Sequence, residues 1–287
     1  FFFKPTTAYE MLRSLVGSEM CIRDSSHIAC DLYNSNLEPV ACRTFDEVFN
    51  NVIEKKNDLA MIPIENSIAG RVADIHRLMP TSGLKIIGEY FLEIHHTLMG
   101  IKGSSLDKLT SVMSHEMALS QCRNSIKNLG LHPKPSLDTA GSAREISETN
   151  DISIGAIASK LAAEIYNLSI LKENMEDRGL NTTRFLILSR EDIEVKDIEK
   201  PMITTLVFKV KNVPSALYKA LGGFAVNGVN MLKLESYQIE GSFLSTQFYM
   251  DIEGHYSEGP LKLAIEELSH YSEEIKILGT YVSKRKR

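Results

Sequence analysis

The chain has 287 residues, 43% of them hydrophobic and 24% charged, an ordinary globular balance in a length that suits two domains of roughly 100 to 200 residues each. Its 32 Lys and Arg against 37 Asp and Glu give a net charge of -5, so no broad basic surface meets a phosphate backbone and nucleic acid is excluded as a partner class. No apolar run approaches the roughly 18 residues of a membrane-spanning helix, and Cys21, Cys30, Cys42 and Cys122 form neither CxxC pairs nor a secreted framework, as expected of idle thiols in a reducing cytoplasm.

Residues 1–25, FFFKPTTAYEMLRSLVGSEMCIRDS, show no strand alternation and no signal-peptide order. They resemble a translated sequencing adapter, so native sequence is expected to begin near Ser26. From there to about Arg190 short apolar strands alternate with helical stretches. DLAMIPI (58–64), LKIIGEYFLEIHHTLMG (84–100), LTSVMS (109–114), ISIGAI (152–157) and RFLILS (184–189) read as strands; FDEVFNNVIEKK, EMALSQCRNSIKNLG and IASKLAAEIYNL read as helices. That alternation predicts an α/β domain over 26–192 with a largely parallel sheet, its ligand at the carboxyl ends of strands. SREDIEVKDIEKP is charged and closes on Pro201, which marks 193–201 as a linker. Over 202–287 the order strand, helix, strand, strand, helix, strand predicts a ferredoxin-like βαββαβ sandwich. At that size it buries little surface alone and gains from pairing.

Generic motifs fail. His115 and Glu116 open an HExxH pattern, but Leu119 stands where the second His belongs; GIKGSS lacks a P-loop ending, and no GxGxxG follows a strand. No metal, nucleotide or other cofactor is called for, and His95 and His96 read as one surface and one core histidine. Three other segments share an arrangement. AMIPIENSIAG ends a strand with Glu65, Asn66 and Ser67; VMSHEMALSQC ends one with Ser114 and His115; LNTTRFLILS sets Asn181, Thr182, Thr183 and Arg184 at a strand's edge. Helix capping by Asn66 or Ser67 explains one such residue. Together they supply hydroxyls, an amide, an imidazole and a guanidinium to a pocket suited to a small carboxylate-bearing ligand.

With DTAGSA (138–143), GAIASKLAAEIYNL (155–168), PSALYKAL, VNMLKLES and FYMDIEGH, these blocks resemble prephenate dehydratase, the carbon-oxygen lyase family that converts prephenate to phenylpyruvate on the route to phenylalanine. The resemblance implies a two-lobed catalytic domain like a type 2 periplasmic-binding protein, with substrate between the lobes. It also implies a C-terminal ACT domain that binds L-phenylalanine as allosteric effector and pairs the chain into a homo-oligomer. Carried over residue by residue, Thr183 and Arg184 are catalytic, and Glu65, Asn66, Ser67, Ser114, His115, Asn181, Thr182 and Phe185 contact substrate. Ser215, Ala216, Leu217, Asn230, Leu232, Glu235 and Ser236 hold phenylalanine; the chain departs from the family's motifs at Ser215, Tyr237 and Gln238. Of the family's opening strand and Gly-Ala-Tyr-Ser-His turn only Ser26 and His27 remain, so the first lobe is expected to lack that strand.

Prephenate loses CO2 and hydroxide as its ring becomes aromatic. Thr183 is expected to donate a hydrogen bond to the departing oxygen, Arg184 or nearby amides to fix a carboxylate, and His115 to give a proton or to position its strand end. An arogenate dehydratase and a non-catalytic amino-acid sensor stand as alternatives.

Overall fold

A computed structural model describes residues 2–3, 20–42, 44–177, 179, 181–192, 201–238 and 246–285. Most of the foreign-looking segment and the linker 193–200 therefore lie outside the described residues. β1 (Phe2–Phe3) pairs antiparallel with β2 (Pro39–Val40), and α1 (Met20–Tyr33) runs between them. α2 (Phe45–Ile53) starts where the Thr44 side chain accepts from the Glu47 amide at 3.2 Å, with Asp46 and Glu47 at the positive end of the helix dipole. β3 (Leu59–Asn66) is buried through its middle, a short turn leads to β4 (Gly70–Arg71), and α3 (Ala73–Ser82) ends at the left-handed Gly83. β5 (Lys85–Glu93) completes this part of the first lobe.

The second lobe begins at β6 (Thr97–Gly100) and continues through β7 (Ser111–His115), α4 (Glu116–Gln121), α5 (Arg123–Asn128), β8 (His132–Ser136), α6 (Thr139–Ser147), β9 (Ile154–Ala158), α7 (Lys160–Ile165) and β10 (Ser169–Lys172). Its sheet runs β10-β6-β9-β7-β8, with β7 parallel to β8 and β9. β11 (Thr182–Ser189) then returns to the first lobe and inserts between β3 and β5, antiparallel to both, in the order β4-β3-β11-β5.

Three expectations change here. The 84–100 run is two strands in different lobes, because the chain crosses over at 94–96. The first-lobe sheet is antiparallel at every strand pair rather than largely parallel, because its central strand arrives from the other lobe, and the second-lobe sheet is mixed. The helix expected over EMALSQCRNSIKNLG likewise breaks at Cys122 into α4 and α5.

The C-terminal part folds as read: β12 (Met202–Val210), α8 (Ala216–Val226), β13 (Met231–Gln238), β14 (Thr246–Glu253), α9 (Gly259–Tyr271) and β15 (Ser272–Val282), with strand order β13-β14-β12-β15. One sheet face packs on α8 and α9 through Phe208, Phe224, Met250, Leu261 and Leu268. The other packs on the first lobe, where Ile203, Val207, Tyr249, Leu278 and Tyr281 share a core with Ile62, Ile64, Ile75 and Met79. At ~1.5–3 kcal/mol for each fully buried large side chain, this seam is worth on the order of 10 kcal/mol, more than a sliding domain contact provides. Backbone also meets backbone: a Cβ on Gly279 would clash with the Ile86 carbonyl oxygen, so only glycine lets β15 approach β5.

Candidate functional site

The C-terminal end of β3 and the N-terminal end of β11 meet at the mouth between the lobes, where Thr183 is the register partner of Asn66. Asn66 Oδ1 accepts from the Ile68 and Ala69 amides, both at 2.9 Å, which fixes the side-chain amide in one orientation. Its Nδ2 then donates to Asn181 Oδ1 at 2.7 Å and to Thr183 Oγ1 at 2.9 Å. Asn181 Nδ2 donates to Gln121 Oε1 at 2.9 Å, and the same oxygen lies 2.7 Å from His96 Nε2. Since Gln121 Oε1 only accepts, His96 carries its proton on Nε2, and burial lowers its pKa and keeps the ring neutral. The polarity of the chain from His96 to Thr183 is thereby set. Thr183 receives a hydrogen bond from Asn66 and retains its own proton to donate.

Ser67 ties the two strands together: its amide donates to the Thr182 carbonyl and its Oγ accepts from the Thr182 amide, both at 2.9 Å. Neither Asn66 nor Ser67 caps a helix, because β4 intervenes and the residue before α3 is Val72. His115 does cap α4, its Nδ1 accepting from the Met117 amide at 3.2 Å. His95 is exposed and His96 buried, as the sequence reading had them, and Glu176 joins them by accepting from His95 Nδ1 at 2.8 Å and from the His96 amide at 2.9 Å.

Small-molecule sites are clefts of roughly 300–1,000 Å³, and the opening here, about 530 Å³, is lined from the first lobe by Ile68, from the crossover by Glu176, Asp177 and Asn181, and from the second lobe by Met117, Gln121, Arg123, Asn124 and Lys127. Met117 and Gln121, four residues apart on α4, present one face. Thr183, 7% exposed, sits behind Asn181. Asp177 is held by the Asn124 and Ser125 amides at 2.8 and 3.0 Å.

Four residues expected to contact substrate lie elsewhere. Arg184, adjacent to Thr183, points to the opposite face of the sheet and is 1% exposed. Its Nε donates to Glu89 at 2.8 Å, its Nη1 to Glu65 at 3.1 Å and Asp251 at 2.5 Å, and its Nη2 to the Tyr281 hydroxyl at 3.0 Å. A guanidinium so occupied is not free for a substrate carboxylate. Burial would lower its pKa, but Asp251, Tyr281, Tyr249 and Glu89 together outweigh burial and hold it well above the ordinary value. Glu65 is likewise committed, to Arg184 and to the Lys233 ammonium; burial would raise its carboxyl, yet Lys233 and then Arg184 hold it below the usual range. Ser114 is fully buried and donates to the Ile157 carbonyl at 2.6 Å, bridging β7 and β9. Phe185 is core, packed with Cys30, Met61 and Ile187.

The expected phenylalanine-binding residues divide in two. Ser215, in a left-handed conformation at φ 62°, joins Ala216, Leu217, Lys211, Thr246 and Phe248 around a surface cleft of about 430 Å³. Glu235 and Ser236 instead face the first lobe: Glu235 lies 3.0 Å from Lys233, 3.5 Å from His76 and 3.8 Å from Arg71, and the Ser236 carbonyl accepts from Arg71 at 3.1 Å. Leu232 packs against the shared core, and the Asn230 carbonyl accepts from the Glu253 amide at 3.0 Å. Sequence reasoning missed Gln121 and Asp251. Gln121 was detectable as a polar residue four positions after Met117 on the same helical stretch, and Asp251 as the acid inside the apolar run FYMDI.

The chain is similar to known proteins over most of its length. A bifunctional N-acyl-homoserine lactone acylase/prephenate dehydratase of Komagataeibacter europaeus is 46% identical over 256 residues, covering 89% of this chain and 91% of its own. An arogenate dehydratase/prephenate dehydratase 1 of Arabidopsis thaliana is 36% identical over 260 residues, 86% of this chain and 66% of its own. The crystal structure of a prephenate dehydratase from Arthrobacter aurescens in complex with L-Phe superposes with a TM-score of 0.81 at 26% identity, covering 94% of this chain and 88% of that one. The family model for prephenate dehydratase matches residues 25–193, and the chain belongs to that family.

Proposed function

We propose that this chain catalyses the decarboxylating dehydration of prephenate to phenylpyruvate, with Thr183 as the group that meets the departing oxygen. The carboxylate on the ring leaves as CO2, its bonding electrons enter the ring, and the ring hydroxyl leaves, taking one proton, as water. The observation that carries the reading is the hydrogen-bond polarity around Thr183: Asn66 occupies its oxygen as a donor, which leaves the threonine proton to be donated to a departing oxygen. A threonine hydroxyl is too weak an acid to transfer a proton outright, and stabilising a developing negative oxygen is the task it suits. With Arg184 committed elsewhere, Arg123 and Lys127 at the cleft are the cations for the substrate's carboxylates.

Thr183→Ala is expected to lower kcat for phenylpyruvate formation at least ~100-fold, about 2.7 kcal/mol of transition-state stabilisation, while Thr183→Ser stays within about tenfold. Near wild-type turnover by Thr183→Ala would sink the assignment. Glu176 and Asp177 in the same cleft favour a second reading, since a substrate ammonium needs carboxylates; the ratio of kcat/KM for arogenate and prephenate decides it.

L-Phenylalanine is the proposed effector, bound by the sandwich at the Ser215–Leu217 turn between paired copies. It regulates only by preferring one state of the enzyme. Saturating L-phenylalanine should raise the melting temperature and lower the rate, and no change in either refutes this part.

A further inference from the structure

The sheet formed by β3 and β11 is one residue thick between the cleft and the sandwich, and both strands carry a matched pair of adjacent residues. Thr183 is in register with Asn66 and Arg184 with Glu65. Adjacent residues on a strand face opposite ways, so the two register pairs form two polar layers. On the cleft side Asn66 donates to Thr183 at 2.9 Å. On the sandwich side Arg184 donates to Glu65 at 3.1 Å.

The second layer is anchored to the sandwich. Arg184 reaches Asp251 on β14 and Tyr281 on β15 at 2.5 and 3.0 Å, and Lys233 on β13 donates to Glu65. Thr205 on β12 closes the network, donating to Asp251 at 2.7 Å and lying 2.9 Å from the Tyr281 hydroxyl. Arg184, Asp251 and Tyr281 are at most 1% exposed, so no solvent screens or softens the contacts among these three, and a close-packed interior transmits displacement instead of absorbing it. A shift of the sandwich sheet therefore moves Glu65 and Arg184, and with them the peptides that carry Asn66 and Thr183.

We infer that Asp251, Tyr281 and Lys233 are positioning residues for Thr183, acting through Arg184 and Glu65; the inference rests on the reading of Thr183 as the hydroxyl that meets the leaving oxygen. A displacement of ~1 Å in a reacting group costs on the order of 100-fold in rate, so modest changes at the junction register at the cleft. The sandwich is then part of the catalytic scaffold even when no effector is bound.

The test uses the full chain with prephenate. Tyr281→Phe keeps the ring packing and removes one anchor, and Lys233→Met removes another at the edge of the network. Each is expected to lower kcat at least fivefold with KM within twofold of wild type and the cooperative melt retained. In an Asn66→Ala background, where Thr183 has already lost its amide partner, the same changes should lower kcat less than twofold. Equal losses in both backgrounds, unchanged kcat in both variants, or activity lost only in step with the folded form would overturn the inference. Failure of the wild-type chain to form phenylpyruvate would instead strike at the proposed reaction.

Discussion

Replacing Asp251 by Asn removes one charge while keeping the shape of the side chain. Asp251 is fully buried and accepts from Arg184 at 2.5 Å, Thr205 at 2.7 Å and Arg285 at 3.1 Å. An asparagine keeps one acceptor, suited to Thr205, and turns an NH2 toward two guanidinium groups. Removing one member of a buried ion pair costs about 3–5 kcal/mol. Glu89 and Glu65 remain to balance Arg184, so the lower end applies, about 3 kcal/mol. At ~2–4 °C per kcal/mol for a domain of this order of size, the melt followed by circular dichroism at pH 7 should fall by about 6–12 °C.

The pH dependence gives a second handle. Burial would raise the Asp251 carboxyl, but Arg184 and then Thr205 hold it below the usual range. A carboxyl with a depressed folded pKa stabilises the protein fully above its unfolded value of about 4 and loses that contribution as pH falls through the lower folded value. The gap between wild type and Asp251→Asn should therefore be constant near neutrality and shrink below about pH 4. A shift under about 2 °C at pH 7, or a gap undiminished in acid, would refute the reasoning.

Other substitutions probe the same junction and the cleft. His76, buried against the edge of Tyr249 with ring centroids 4.9 Å apart, has its pKa lowered by burial to about 4. The unfolded chain takes up that proton first, so stability falls as pH drops from about 6.5 to 4, by on the order of 3 kcal/mol, and His76→Phe should flatten that slope in urea titrations. Gly279→Ala places a methyl into the Ile86 backbone and should cost at least ~1–3 kcal/mol, read as a lower melting temperature; an unchanged melt would show that β15 has room to retreat. Arg123→Gln should raise KM for prephenate about tenfold, roughly 1.4 kcal/mol, with kcat within about threefold, and an unchanged KM removes Arg123 from carboxylate binding.

The sequence carried the elements of the sandwich clearly, because the strands and helices there show their own periods and α8 and β14 are closed by Asn227 and Gly254. The lobes were harder. LEIHHTLMG contains no turn residue at 94–96, so nothing local marks the crossover that divides β5 from β6. Thr182 and Thr183 read as loop on polarity, yet β-branched residues suit a strand and pairing with Asn66 and Leu92 settles them in β11. Thr183 itself was legible from its motif. The role of Arg184 was not, since spacing sets it beside Thr183 without saying that alternation turns it away, toward an acid 67 residues further along the chain.

The late return of β11 has a consequence for how the molecule comes into being. Thr183 and Asn66 are separated by 117 residues, and between them the chain builds the whole second lobe. The first lobe's sheet lacks its middle strand until that lobe has been threaded, so β3 and β5 wait with unpaired edges during synthesis. Long-range closure of this kind is slow and leaves strand edges open to wrong partners. The hydroxyl at the cleft is thus among the last features to be assembled, and its formation reports that both lobes have already found their shape.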